Sequence, residues 1–202
     1  MRGRYLAPPD PGPLPPPDFA TRHLPTETIA AGSRLTRIHR SNVGPLFFGS
    51  TGGNRFDDPA RTYGVCYFAT SIEGAFAETC LRAVGVRFVA LTFLEERSFA
   101  DIEVTSPLQV VSLHGPGLAQ LGATGVVSSG PHALAQQWSQ AIHDHRQAPD
   151  GITYRSNHDN GEQCVALFDR CQANLHIAGS RPIMADRAAL AALLNRYNVG
   201  LG

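Results

Sequence analysis

Residues 53–82 read GNRFDDPARTYGVCYFATSIEGAFAETCLR, and within this one stretch the pattern changes twice. Gly, Asn and Asp give turn chemistry first. An apolar run of strand length, 65–69, follows, and then apolar residues at helical spacing. Thr70 and Glu73 stand at capping-box spacing and open that helix. Ile72, Ala75, Phe76, Thr79, Cys80 and Val84 make one face of it. Glu78 lies about 200° around the axis from Phe76 and so falls off that face. Loop, strand and helix therefore follow each other directly, and the chain must pack both element types into one core.

The rest of the chain repeats this mixture. Eight of the fifteen prolines fall within the first 25 residues. Proline lacks the donor a sheet needs and breaks helices, so residues 1–30 read as a Pro-rich arm with no core of its own. Residues 31–202 read as one domain with a C-terminal helix. Strands are expected at 35–40, 87–94 and 108–113, with a further short strand at 175–178. Residues 152–154 and 164–168 are expected to form a hairpin, with Asp159-Asn160-Gly161 supplying the turn. A helical turn is expected at 117–121. A longer helix from Pro131 to about His145 would carry Leu134, Trp138 and Ile142 on one face. A closing helix is expected at 185–197, with Asp186 near its start. Interspersed strands and helices give an α+β domain with a mixed, partly antiparallel sheet and flanking helices.

Composition narrows the function. The chain has 202 residues, with 17 Lys+Arg against 17 Asp+Glu. A balanced charge argues against non-specific nucleic-acid binding, which needs an excess of cations to neutralise phosphates, but permits a local basic pocket. The four cysteines form no CxxC pair and read as buried free thiols of a reducing compartment. No apolar run reaches membrane-spanning length and no apolar leader is present, so a cytoplasmic protein is expected.

Several motifs can be set aside. Gly115-Pro-Gly117 follows an expected strand, but the third glycine of a dinucleotide-binding loop arrives two positions late, at Gly122, and the next acid is Asp144. His143 and His145 on a helix would splay by about 200°, so they cannot share a metal ion. No GxSxG elbow marks a serine nucleophile. Glu78, four residues before Arg82, has an ordinary reading as a surface ion pair. Arg37 and Arg55 read as surface charges by the same standard, and Tyr67 as a core aromatic. Their combination says more. A loop arginine, a strand tyrosine and a helix glutamate within one compact segment offer a cation for phosphate, a ring for stacking and a carboxylate for developing positive charge.

LTRIHRS, GPLFF, GGNRFDDP, YGVCYFATS, AFAETCLR, PDGITYRS and CVALFDR, in this order, resemble the RES-domain family of bacterial toxin–antitoxin toxins, over about residues 35–168. The resemblance implies a fold related to ADP-ribosyltransferases and an enzyme that consumes NAD as substrate. It also implies an antitoxin partner with a helical DNA-binding region that blocks the active site. The family's arginines fall on Arg37 and Arg55, its tyrosine on Tyr67, its glutamate on Glu78 and its serine on Ser156. Phe56 stands where the commoner motif has tryptophan.

On this reading, cleavage of the nicotinamide–ribose bond passes through an oxocarbenium-like state that Glu78 stabilises. Arg37 and Arg55 grip the pyrophosphate. Tyr67 packs against nicotinamide or ribose, and Ser156 orients one of them. Glu78, Arg55 and Ser156 are the expected catalytic residues, with no metal. Water or phosphate as acceptor makes the protein a glycohydrolase or phosphorylase, and a protein side chain makes it an ADP-ribosyltransferase. The alternatives from other classes are a non-catalytic partner-binding domain and a Rossmann oxidoreductase.

Overall fold

The computed structural model describes residues 12–83 and 85–202. Its strands are β1 (Thr26–Ile29), β2 (Arg34–Arg40), β3 (Val65–Ala69), β4 (Phe88–Val89), β5 (Arg97–Val104), β6 (Leu108–Ser112), β7 (Gly151–Arg155), β8 (Gln163–Phe168), β9 (Leu175–Pro182) and β10 (Gly200–Leu201). Its α-helices are α1 (Ile72–Cys80), α2 (Leu91–Glu95), α3 (Pro116–Leu121), α4 (Val126–Ser129), α5 (His132–His143) and α6 (Arg187–Arg196). Among the described residues none of these helices is long and apolar enough to cross a membrane.

Eight strands form one sheet in the order β1-β6-β7-β8-β3-β2-β5-β9. Within this sheet β6 and β7 are the parallel pair, joined by a crossover that contains α3, α4 and α5; β10 and β4 form a separate parallel pair. The fold is α+β, with a large, mostly antiparallel sheet. Strand alternation feeds two cores. On β8, Cys164, Ala166 and Phe168 enter the core shared with α1, α5 and α6, whereas Val165 and Leu167 enter a second core. That second core takes residues from β6 near one end of the sheet and β5 near the other, so the sheet curls around it.

The helix after β3 starts one residue later than its capping box suggests. Thr70 is still tied to the sheet, its N–H and hydroxyl both donating to Gln163 O at 3.0 and 3.2 Å. Ser71 therefore caps α1, accepting from Gly74 N at 2.9 Å. The helix stops at Cys80, and Val84 lies outside the described residues. Of the strand expected at 87–94, only Phe88–Val89 is extended, and Leu91–Glu95 is helical. A short apolar run cannot distinguish the two states by periodicity. Here Leu94 is fully buried, and the Arg97 guanidinium packs 3.3 Å over the Phe93 ring.

The boundary expected at residue 30 falls inside the fold. Thr26–Ile29 pairs with β6 as the edge strand β1. Leu24 and Phe19 are buried, and Trp138 of α5 donates from Nε1 to Pro13 O at 2.8 Å. The Pro-rich segment meets α5 through Pro13 and Phe19, both on Trp138. His143 stacks on Tyr63 at 3.7 Å while His145 packs against Phe19, two separate partners for the two rings. All four cysteines are free and buried.

Candidate active site

β2 pairs with β5 along its whole length but meets β3 only at Thr36↔Ala69. Beyond that pair the two strands part. A cleft of about 380 Å³ opens there, lined by Arg37 and Ile38 from β2, Tyr67 from β3, Glu78 from α1, Arg55 from the loop, and Tyr154 from β7. A volume of this size is within the range of small-ligand sites, about 300–1,000 Å³. Arg37, Arg55 and Arg82 supply positive charge to its wall, and Glu78 is the carboxylate facing them.

The Glu78 carboxylate is held from below. Ser156 Oγ donates to Oε1 at 2.6 Å, and the Tyr154 hydroxyl approaches Oε2 at 3.5 Å. Burial, reinforced by the neighbouring Glu78, pushes the Tyr154 phenol well above its ordinary pKa, so it remains a neutral donor. Arg82 does not pair with the carboxylate; its Nε donates to the Glu78 backbone carbonyl at 3.0 Å. The surface ion pair allowed by sequence spacing is therefore not formed, and the carboxylate is turned into the cleft.

Arg37 Nη1 donates to Pro45 O at 2.7 Å and Phe47 O at 3.2 Å, and contacts Cys66 Sγ on β3. It braces the loop after β2. Arg55 Nη1 donates to Gly130 O at 2.7 Å, fixing the Gly-rich loop to the start of α5. Burial lowers the Arg55 pKa, and the nearby Glu78 opposes that shift.

Tyr67 holds a structural post as well as a place in the wall. Its hydroxyl donates to Asp57 Oδ1 and accepts from Phe56 N, both at 2.9 Å. The other Asp57 oxygen takes Asn54 N at 3.0 Å and Asn54 Nδ2 at 3.1 Å. Asp57 is fully buried and is the hub of the loop that carries Arg55. Removing the hydroxyl leaves both Asp57 Oδ1 and Phe56 N short of a partner. Tyr67→Phe is expected to cost about 1–3 kcal/mol in chemical denaturation.

One expectation needs correction. Ser156 does not face the cleft: it is 2% exposed and accepts from the backbone N–H groups of His158 and Asp159, at 3.2 Å each. The turn folds its hydroxyl inward, onto the Glu78 carboxylate. Phe56 is likewise fully buried, packed on Tyr154 with ring centroids 4.8 Å apart, so it offers no ligand stacking. Arg37, Arg55, Tyr67 and Glu78 do share the cleft. Tyr154, Asp57 and the rim histidines His132 and His158 had not been anticipated. Tyr154 is accessible to period-two reasoning, on β7 two residues before Ser156, which follows the strand's end.

The cleft thus lies where a curled α+β sheet parts, lined by arginines and by a glutamate seated on a serine. The RES-domain family model matches residues 34–186, and the chain belongs to the RES-domain family. It is similar to the probable toxin y4kH of Sinorhizobium fredii (strain NBRC 101917 / NGR234), with 34% identity over 122 residues, 58% of this chain and 95% of that protein. Its fold is similar to a chain in the crystal structure of the M. tuberculosis MbcT–MbcA toxin–antitoxin complex. The TM-score is 0.63 at 17% identity, over 81% of this chain and 92% of that one.

Proposed function

We propose that this protein is the toxin of a toxin–antitoxin pair and that it cleaves the nicotinamide–ribose bond of NAD, with water or phosphate as acceptor. One observation carries the reading: a single carboxylate, oriented by Ser156 and Tyr154, sits opposite arginines in one cleft. Arg37 and Arg55 match the pyrophosphate, since guanidinium forks pair with phosphate oxygens. Glu78 faces the positive charge that grows on the ribose as the C–N bond breaks. Nicotinamide leaves neutral, taking the bonding electrons, and needs no general acid. The acceptor oxygen then bonds to the ribose carbon and loses its proton. An antitoxin protein that covers this cleft would restrain the enzyme.

The test is incubation of the antitoxin-free protein with NAD, with and without inorganic phosphate, and chromatography of the products. Nicotinamide with ADP-ribose names water as acceptor, and nicotinamide with ADP-ribose-1″-phosphate names phosphate. Release that requires an added protein, with an ADP-ribose adduct on it, would replace this reading with protein ADP-ribosylation. No NAD cleavage under any of these conditions would refute it. Ser156→Ala is expected to lower kcat by about 10- to 100-fold, since a misplaced catalytic group loses rate on this order. A steady-state rate assay checks it, with a thermal melt to confirm folding.

A further inference from the structure

The family match ends at residue 186, just before α6. Yet the C-terminal end of α6 is bonded to the loop behind Glu78. The Tyr197 hydroxyl donates to Asp159 Oδ2 at 3.0 Å and lies 3.2 Å from Glu73 O of α1. Its ring stacks on Phe76 of α1, with centroids 5.8 Å apart and planes within 11°. Arg196 Nη2 reaches Glu162 Oε1 at 3.1 Å and Asp159 Oδ2 at 3.6 Å. Asp159 in turn donates its backbone N–H to Ser156 Oγ, and Ser156 donates to Glu78. A continuous chain of bonds thus runs Tyr197–Asp159–Ser156–Glu78.

We propose that Tyr197, supported by Arg196, is a positioning residue for the Glu78–Ser156 pair, locking the 156–162 loop to α1 so that the carboxylate keeps one orientation in the cleft. The proposal rests on the reading of Glu78 as the catalytic carboxylate. Tyr197 touches both carriers of the pair, α1 through Phe76 and Glu73 and the loop through Asp159. The loop also supplies Asn157 and His158 to the cleft wall. Partial burial and the Asp159 carboxylate push the Tyr197 phenol up to about 12, so it stays protonated and donating at neutral pH. A donor to a carboxylate is among the stronger hydrogen bonds, suited to holding a turn.

Tyr197→Phe keeps the ring on Phe76 and deletes only the hydroxyl. It is expected to lower kcat for nicotinamide release by about 10-fold, with the KM for NAD unchanged because the arginines lie on other elements. In a Ser156→Ala background the same substitution is expected to cost nothing further, because both act on Glu78 through one path. An unchanged kcat, or an equal loss with and without Ser156, would overturn the proposal. Backbone hydrogen exchange separates this outcome from failure of the functional reading. Faster exchange at His158 and Asp159 in Tyr197→Phe than in the native protein supports the clamp even if NAD is not cleaved, and unchanged exchange there overturns it. Arg196→Ala, at an exposed position, is the second variant and is expected to shift exchange in the same direction by less.

Discussion

Replacing Glu78 by glutamine is expected to remove about 10²–10³ of the turnover while leaving the melting temperature within a few degrees of native. Glutamine has the same shape, and its amide oxygen can still accept from Ser156 Oγ, now 2.6 Å from the carboxylate. What it lacks is the negative charge. The other ionised side chains of the cleft wall are Arg37, Arg55 and Arg82, so Glu78 is the group there that balances positive charge building on a ribose. Glu78→Ala should lose at least as much, and cells producing either variant should escape growth arrest. The measurement is kcat for nicotinamide release beside a thermal melt. Full activity in the glutamine variant would mean that the carboxylate is not the charge-stabilising group.

The largest effect on stability is expected at Trp138. Its ring is fully buried, it meets Phe19 edge-on at 5.5 Å, and its Nε1 donates to Pro13 O. Trp138→Ala opens a large cavity and releases the anchor of residues 13–19 together. Substitutions of this kind cost about 3–5 kcal/mol. For a chain of this size that lowers the melting temperature by about 10 °C or more. A loss under about 1 kcal/mol in urea unfolding would show that the N-terminal segment does not depend on this contact.

These positions show what was legible before the structure. The strand at 65–69, the hairpin of β7 and β8 and the helix ending near His143 all follow from local pattern, because periodicity and turn chemistry decide them. β5 was also written locally, as Ala100-Asp-Ile-Glu-Val104. Its apolar residues enter the inner core, and its acids pair with Arg181 and Arg34 at 2.9 and 3.2 Å. It is nonetheless absent from the strands expected at 35–40, 65–69, 87–94 and 108–113. The N-terminal segment misled for a physical reason. Proline counts exclude regular structure, but they do not exclude packing, and Leu24, Phe19 and β1 all join the fold.

The candidate site divides the same way. Residue types and order gave Arg37, Arg55, Tyr67 and Glu78 a common cleft. Their roles depended on contacts distant in sequence. Ser156 meets Glu78 across 78 positions, and Tyr197 meets Asp159 across 38. No local pattern encodes such pairs, so the serine's inward turn and the tyrosine's clamp emerge only from the folded chain. The hub at Asp57 hides similarly, as one acid among several in a polar loop.

The most direct measurement is NAD binding in the cleft, by calorimetry on the Glu78→Gln variant so that turnover does not intervene. The expected result is saturable binding, one NAD per chain, weakened by salt and lost on adding Arg37→Ala or Arg55→Ala to a folded protein. No binding, or binding that survives removal of both arginines, would contradict it.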